Sequence, residues 1–211
     1  MSLVATRLSL KAASPLWRSP NRRFLWLLGG RDNNDSRSAS TTTRVQTYSL
    51  SKTVNNASPL QVYDVVSEVG KYKEFIPYCV ESFVDKRDPQ TERPKLAGLR
   101  VGFKQYDEKF VCNVACEEVE QGSQYTVEAE SISHHLFEVL NCRWTIKKHP
   151  RRPNSSQMDL LLKFQFKSAL YNSVSSLFAR SVTQLVLNAF DKRVFQVMKR
   201  DYSARNQAGV Q

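Results

Sequence analysis

The chain of 211 residues is 41% hydrophobic and 24% charged, values that are ordinary for one folded domain with an extension. No segment approaches the roughly 20 apolar residues that a membrane-spanning helix needs, so we expect a soluble or peripheral protein rather than a helical membrane protein. The formal net charge of +11 is unevenly distributed, because residues 1–47 hold eight Lys or Arg residues and only two acidic ones.

The N-terminal segment has the composition of a targeting sequence. No acidic residue precedes Asp32, and five basic residues are interspersed with Leu and Trp up to Arg23. Such a basic, serine-rich and acid-poor stretch is typical of a mitochondrial transit peptide, with a disordered basic tail as the alternative. The Asn, Ser and Thr residues from Asp32 to Thr43 predict a flexible linker.

These observations predict three regions. They are a transit peptide and linker at 1–47, with cleavage between Arg23 and Tyr48, one domain at 48–201, and a C-terminal tail at 202–211.

The domain begins with a predicted strand and a short helix. Alternating apolar residues predict a first strand over residues 48–54. Ser58, Pro59 and Gln61 then form the pattern of a capping box with proline at the first helical position. We expect this helix to end at Gly70, since glycine favours helix termination, and a short helical turn to follow over residues 71–75.

Six later segments alternate apolar and polar residues with a period of two, which predicts an antiparallel sheet with one covered and one wet face. Short polar connections between them suit hairpin turns. The segments are residues 80–86, 96–105, 109–118, 124–131, 136–148 and 157–167.

From Ser168 to Arg200 the period changes to about 3.6, which predicts one long amphipathic helix. Because no partner heptads occur, we expect this helix to lie across the sheet. The resulting fold class is α+β, a curved antiparallel sheet wrapped around a long C-terminal helix. Such a container is suited to holding an apolar molecule. The apolar stripe of the helix comprises Leu170, Val174, Leu177, Phe178, Leu185, Ala189, Phe190, Val194 and Val197.

Residues with catalytic or metal-binding potential form no recognisable constellation. The adjacent His134 and His135 would face opposite sides of a strand, and His149 lies in a basic turn. No phosphate-binding loop or nucleophile elbow occurs. The four cysteines have no disulfide spacing and are interpreted as small buried residues. We therefore predict no catalytic residue, no metal and no resident cofactor, and we interpret basic pairs such as Lys192-Arg193 as solvated.

Glu138 is the one acidic residue that we single out. It shares the parity of Leu140 and Trp144, which are predicted to face inward. A polar group in an apolar pocket can orient a ligand headgroup, whereas the alternative is a strand-end glutamate in water.

Five segments of the domain together form a specific pattern. They are VYDVVSEVGKYKEFIPYC (Val62 to Cys79), LRVGFKQYDEKFVCNV (Leu99 to Val114), CRWTI (Cys142 to Ile146), FQFKSALYNSVSSLF (Phe164 to Phe178) and AFDKR (Ala189 to Arg193). This pattern resembles the mitochondrial coenzyme Q-binding proteins, a branch of the START-like, or polyketide cyclase-like, helix-grip superfamily. The resemblance covers nearly the whole predicted domain.

The resemblance implies a helix-grip fold whose apolar cavity binds ubiquinone and its polyprenyl precursors. It implies a lipid chaperone that supports respiration and ubiquinone synthesis, not an enzyme, at the matrix side of the inner mitochondrial membrane. The implied partners are the membrane surface and either respiratory complexes or biosynthetic enzymes, with no nucleic acid. Two alternatives stay open: a cyclase-like enzyme, which needs an acid/base pair in the pocket, and a ribosome- or RNA-associated module, which needs a contiguous basic face.

Strand parity and the helix stripe predict which residues line the cavity, with a packed core lacking any cavity as the alternative. The predicted lining residues are Val101, Phe103, Phe110, Glu138, Leu140, Trp144, Leu162, Phe164, Phe166, Val174, Phe178 and Leu185.

Two apolar groups are predicted to meet at the cavity mouth and insert shallowly into a bilayer, as amphipathic interfacial helices do, with simple core packing as the alternative. These groups are Phe75, Ile76 and Pro77, and Leu177 and Phe178, with Arg180 near the lipid headgroups.

Overall fold

The computed structural model describes residues 44–103 and 106–208, leaving aside the side chains of residues 103, 106, 169, 170, 172–180 and 208. Most of the predicted transit peptide and linker therefore lies outside the described residues, and its cleavage stays a prediction. The described elements are β1 (Gln46–Val54), α1 (Pro59–Ser67), a 3-10 helix (Val69–Glu74), β2 (Cys79–Arg87), β3 (Pro94–Phe103), β4 (Tyr106–Glu120), β5 (Gln124–Ser131), β6 (Phe137–Lys148), β7 (Ser156–Phe166) and α2 (Ala169–Ala208).

The seven described strands form one antiparallel sheet in the order β1-β7-β6-β5-β4-β3-β2. Strands β2 to β7 follow one another as a meander, and β1 pairs with β7 at the far edge. Both helices pack on the same face, where α2 contacts α1, β1 and β7. The predicted α+β fold, a curved antiparallel sheet with a long C-terminal helix, is confirmed, and the predicted strand ranges agree to within a few residues.

The start of α1 is encoded locally, as the capping-box pattern predicted. The Gln61 amide donates to Ser58 Oγ at 3.3 Å, and the Ser58 amide donates to Gln61 Oε1 at 2.9 Å, so two helix-terminal N–H groups are satisfied. The predicted end at Gly70 is wrong. The helix ends at Ser67 and the chain tightens into the 3-10 helix, where Ser82 Oγ donates to the Gly70 carbonyl at 2.8 Å.

The packed core lies between α1, the second half of α2 and the middle of β4–β7. Its fully buried side chains include Val62 and Val66 from α1, Ile146 from β6 and Met158 from β7. Burying such side chains contributes roughly 1.5–3 kcal/mol each.

Phe190 from α2 completes this core. Its ring meets those of Trp144, Tyr72 and Phe75 edge-on, with centroid distances of 4.7, 5.1 and 5.2 Å. Edge-to-face contacts of this kind stabilise beyond the area they bury. The second half of α2 is therefore firmly fixed to the sheet and to the 3-10 helix.

Arg193 is buried, so its interpretation as part of a solvated basic pair is wrong. Its guanidinium donates to Glu74 Oε2 at 2.5 Å and lies 5.3 Å from the ring centroid of Phe75. Because Glu74 is the last residue of the 3-10 helix, this contact directs the Arg193 side chain toward that helix. The pair fixes that helix to α2.

The opposite face of the sheet is wet and carries paired charges. Arg100 and Asp107 are 2.5 Å apart, Arg143 and Glu128 are 2.7 Å apart, and a third pair joins Lys109 to Glu81 at 3.3 Å. Such exposed pairs contribute little to stability. The prediction of one covered and one wet face is confirmed for the described strands.

Helix α2 continues past the predicted domain end. Residues 202–208, which were predicted to belong to a tail, are helical, and the side chains of 202–207 are exposed. Of the helices that the structure describes, none combines the length and apolarity that crossing a membrane requires.

Candidate functional site

The burial of side chains on the covered face of the sheet varies along the strands. In β6, Ile146 is fully buried and Trp144 is 5% exposed, whereas Cys142 and Leu140, which share their parity, are only half-buried. In β7 the buried Met158 and Leu160 are followed by the half-buried Leu162, and Phe164 beyond it is buried again. These half-buried side chains lie at the end of the face beyond the packed core. Apolar side chains there face the helix side without being fully covered.

The Cys142 thiol at this end of the face is desolvated by its surroundings. Burial raises the pKa of the Cys142 thiol to about 12, although part of the residue surface is accessible. The neighbouring Cys112, whose pKa burial also raises to about 12, lies on the same face.

An aromatic cluster bounds this end of the face. We use the name aromatic cluster for Phe110, Phe137, Phe166 and Tyr171. Successive ring centroids in it are 5.4, 4.7 and 5.7 Å apart. The rings thus connect β4 to β6, β7 and the first turn of α2.

Two further rings extend the apolar surface toward the sheet edge. Phe164 lies 5.6 Å from Phe166, and Tyr48 of β1 stacks on Phe164 at 5.9 Å. The strand register explains why these side chains are neighbours, because Leu140 pairs with Phe164 and Phe137 pairs with Phe166. The site is therefore an apolar, aromatic face that the first turn of α2 meets through Tyr171.

One polar pair lies at the aromatic cluster. The Tyr171 hydroxyl donates to Glu108 Oε1 at 2.5 Å, and both side chains are half-buried. Glu108 precedes Phe110 by two residues and pairs with Val101, so it faces the same side as the cluster.

Most of the predicted lining residues whose side chains are described lie on this face. Val101, Phe110, Leu140, Leu162 and Phe166 are half-buried, while Trp144 and Phe164 are buried. Their role in ligand binding stays a prediction. The side chains of Phe103, Val174 and Phe178 lie outside the described ones.

Glu138 does not face inward, so its predicted parity is wrong. A register irregularity between Phe137 and Val139 shifts the alternation, and Phe137 is buried whereas Glu138 and Val139 are both exposed. A β-bulge of this kind inserts one residue and reverses the facing of those before it.

Leu185 is also misassigned, since it is 45% exposed and not part of the covered stripe of α2. Leu187, which the predicted stripe omitted, is 1% exposed and packs in the core. Two helical positions differ by about 200°, so the two leucines lie on nearly opposite sides of α2.

The predicted membrane-docking residues are only partly described. Phe75 and Ile76 are half-buried and pack against the core, which favours core packing for these two. Phe75 contacts Phe190, which lies twelve positions beyond Phe178, or about 18 Å along the helix. Pro77 is half-buried. The side chains of Leu177, Phe178 and Arg180 lie outside the described ones, and docking by them stays a prediction.

The sequence reasoning missed Glu108, Phe137 and Tyr171 as members of the site. Glu108 could have been found, because it has the same parity as Phe110 and Cys112, which were predicted to share one face of their strand. Phe137 could not, since the bulge that turns it inward has no sequence marker. The polar contact of Tyr171 depends on the position of α2.

Other parts of the described structure offer no competing site of suitable chemistry. A groove of about 620 Å³ opens beside the β2–β3 turn, but charged side chains such as Asp88, Arg93 and Lys95 line much of it. Lys95 and Asp88 already pair there at 2.6 Å. Among the described residues, no group of three or more His, Cys, Asp or Glu side chains is placed to hold a metal.

The sequence matches known proteins over nearly all of this fold. Residues 56–191 match the family described as polyketide cyclase / dehydrase and lipid transport. The coenzyme Q-binding protein COQ10, mitochondrial, of Saccharomyces cerevisiae is 52% identical over 185 residues, covering 88% of this chain and 84% of that protein. The protein of the same name from Eremothecium gossypii is 51% identical over 197 residues, covering 93% and 89%.

The fold is also similar to that of solved structures. The Zhui aromatase/cyclase of a Streptomyces species superposes with a TM-score of 0.60 at 11% identity, over 72% of this chain and 95% of that one. At this identity the likeness shows the shared START-like fold alone. The sequence matches go further, and from them the chain belongs to the family of mitochondrial coenzyme Q-binding proteins.

Proposed function

We propose that this protein binds ubiquinone and its polyprenyl precursors between the aromatic end of the covered face and the first half of α2. The observation that carries the proposal is the half-buried apolar surface formed by Leu140, Cys142 and Leu162, directly beyond a fully packed core. The names of the relatives from Saccharomyces cerevisiae and Eremothecium gossypii, which are 52% and 51% identical, support the ligand class.

The protein acts as a carrier or chaperone for this lipid. Removing a polyprenyl tail from water is favourable by about 25 cal/mol per Å² of apolar surface. A tail that leaves the membrane therefore needs an apolar protein surface that shields it from water. Exchange between an apolar protein cavity and a bilayer is close to neutral, which allows both uptake and delivery. A catalytic role is not part of the proposal. Glu138, the acidic residue that the sequence placed on the inner face, is exposed.

The proposed location is the matrix side of the inner mitochondrial membrane, to which the protein binds peripherally. The relatives are named as mitochondrial, and residues 1–47 have the composition of a transit peptide. Delivery to respiratory complexes or to enzymes of ubiquinone synthesis would support respiration.

The described sheet does not favour the alternative of an RNA-associated module. Several basic side chains on its wet face, including Arg100, Lys109 and Arg143, pair with acidic neighbours. A phosphate-binding surface needs basic groups that are not already neutralised in this way.

The proposal is tested by purifying the mature protein from mitochondria and identifying extracted lipids by mass spectrometry. We expect ubiquinone or a polyprenyl precursor in the wild-type protein and its loss in Leu140→Lys, because a charge on this apolar face is costly to bury. Val119→Lys is the matched control, since Val119 is 52% exposed and its substitution should leave the lipid bound. A folded Leu140→Lys variant that carries normal amounts of quinone would contradict this location of the site.

A further inference from the structure

Glu108 places a carboxylate where an apolar binding face would otherwise have none. It lies on β4 opposite Val101 and is half-buried on the covered side of the sheet. Phe110, two residues further along the same strand, belongs to the aromatic cluster, whose rings lead across the sheet to Tyr171. A charged side chain on such a face is unusual, and ligand sites place their few polar groups where they orient the ligand.

The Tyr171 hydroxyl fixes this carboxylate. It donates to Glu108 Oε1 at 2.5 Å, joining the first turn of α2 to β4. A hydrogen bond from a hydroxyl to a carboxylate is charge-assisted and roughly twice as strong as a neutral one. The hydroxyl proton is thereby engaged by the protein, while the carboxylate, which can accept about four hydrogen bonds, keeps capacity for a further donor.

The polar pair therefore offers acceptors to a bound headgroup more readily than donors. An ionised carboxylate accepts hydrogen bonds and donates none. A quinone ring also carries only acceptors, its carbonyl and methoxy oxygens, so its lone pairs would face the carboxylate unless Tyr171 left Glu108. A hydroquinone or a phenolic precursor carries O–H groups that can donate to Glu108 without disturbing Tyr171.

We infer that Glu108, held by Tyr171, makes this site selective for the hydroxyl-bearing form of its ligand, that is, for a hydroquinone or phenol over the corresponding quinone. The inference rests on the proposed function, because it presupposes that a quinone-type headgroup reaches the aromatic cluster. It assigns Glu108 as a specificity-determining residue and Tyr171 as the residue that positions it. No electron or proton transfer is involved, and the selectivity is one of binding alone.

The test measures binding of decylubiquinone and of its chemically reduced hydroquinone to the full chain, by anaerobic titration calorimetry. A hydrogen bond to a charged group is worth enough to change a dissociation constant by about tenfold or more. We therefore expect the wild-type protein to bind the hydroquinone at least about tenfold more tightly. Glu108→Gln should bring the ratio of the two dissociation constants close to one, because an amide can donate to a quinone carbonyl as well as accept.

Glu81→Gln is the matched control, since Glu81 pairs with Lys109 on the wet face and should leave the ratio unchanged. If Glu108→Gln fails to fold, the wild-type ratio still tests the selectivity. A wild-type ratio of one, a preference for the quinone, or an unchanged ratio in folded Glu108→Gln overturns the inference. Equal binding of both forms would contradict the proposed selectivity but would be consistent with the proposed function. Failure of both forms to bind overturns both.

Discussion

At the scale of single residues, surroundings decide the chemistry of groups that the sequence presents as ordinary. The four cysteines are free thiols, and Cys79 and Cys112 are buried. Burial raises the pKa of Cys112 and Cys142 to about 12 and that of Cys116 to about 11, because a thiolate is poorly solvated there. Since the thiolate is the reactive form, these cysteines are structural rather than reactive.

We predict that Cys112 and Cys142 resist alkylation by iodoacetamide in the native protein at pH 8 and react fully in urea. Peptide mass spectrometry after timed labelling measures both rates. Modification of either thiol in the folded protein as fast as in urea would contradict the assigned burial.

The same shift predicts how stability depends on pH. At pH values between the ordinary thiol pKa of 9.0 and the raised pKa of about 12, Cys112 and Cys142 are deprotonated in the unfolded chain but protonated in the folded chain. Stability from these thiols is therefore fully present below pH 9 and falls as the pH rises through that window. Urea unfolding of wild type and Cys142→Ser at pH 8 and pH 10 measures the slope, which we expect to be shallower in the variant.

At the scale of elements, α2 combines two different roles along one helix. Its second half is fixed by Leu187, Phe190 and Val194 in the core and by the pairing of Arg193 with Glu74. Its first turn meets the sheet at the aromatic cluster and at Glu108 through Tyr171. The start of α2 therefore borders the proposed lipid site, while its second half holds the fold together.

The two leucines of α2 provide a matched test of which side of the helix is covered. We predict that Leu187→Ala destabilises the protein by about 2–5 kcal/mol, because it leaves a cavity in the packed core. Leu185→Ala, at a position 45% exposed, should change the free energy of unfolding by less than about 0.5 kcal/mol. Equal effects in urea unfolding would show that the assigned facing of α2 is incorrect.

At the scale of the whole molecule, delivery requires contact between the binding site and a membrane. The predicted docking residues fall into two groups, for which we expect different effects of substitution. Ile76 packs against the core, so Ile76→Asp should lower the melting temperature by several degrees, at roughly 2–4 °C per kcal/mol. Phe178→Asp should instead reduce flotation with vesicles of phosphatidylcholine and cardiolipin while leaving the melting temperature unchanged.

Phe195→Asp is the control for this experiment, because Phe195 is a 67% exposed phenylalanine on the same helix. It should change neither flotation nor melting temperature. If Phe195→Asp abolished flotation and Phe178→Asp did not, the membrane would contact the far end of α2 instead.

The sequence by itself determined the elements and the fold class. The capping box at Ser58, the period of two in the strands and the period of 3.6 after Ser168 are all patterns of near neighbours, so they can be read without knowing what packs where. The family resemblance then implied the ligand class, and the parity of the strands indicated most of the covered face.

Only the tertiary structure decided which of these residues share a site. The bulge at Phe137 reversed the facing of Glu138, and the rotation of α2 covered Leu187 rather than Leu185. Arg193 meets Glu74 across 119 positions, and Tyr171 meets Glu108 across 63. Such contacts depend on strand register and helix placement, which the packing of the entire domain sets and no local pattern encodes.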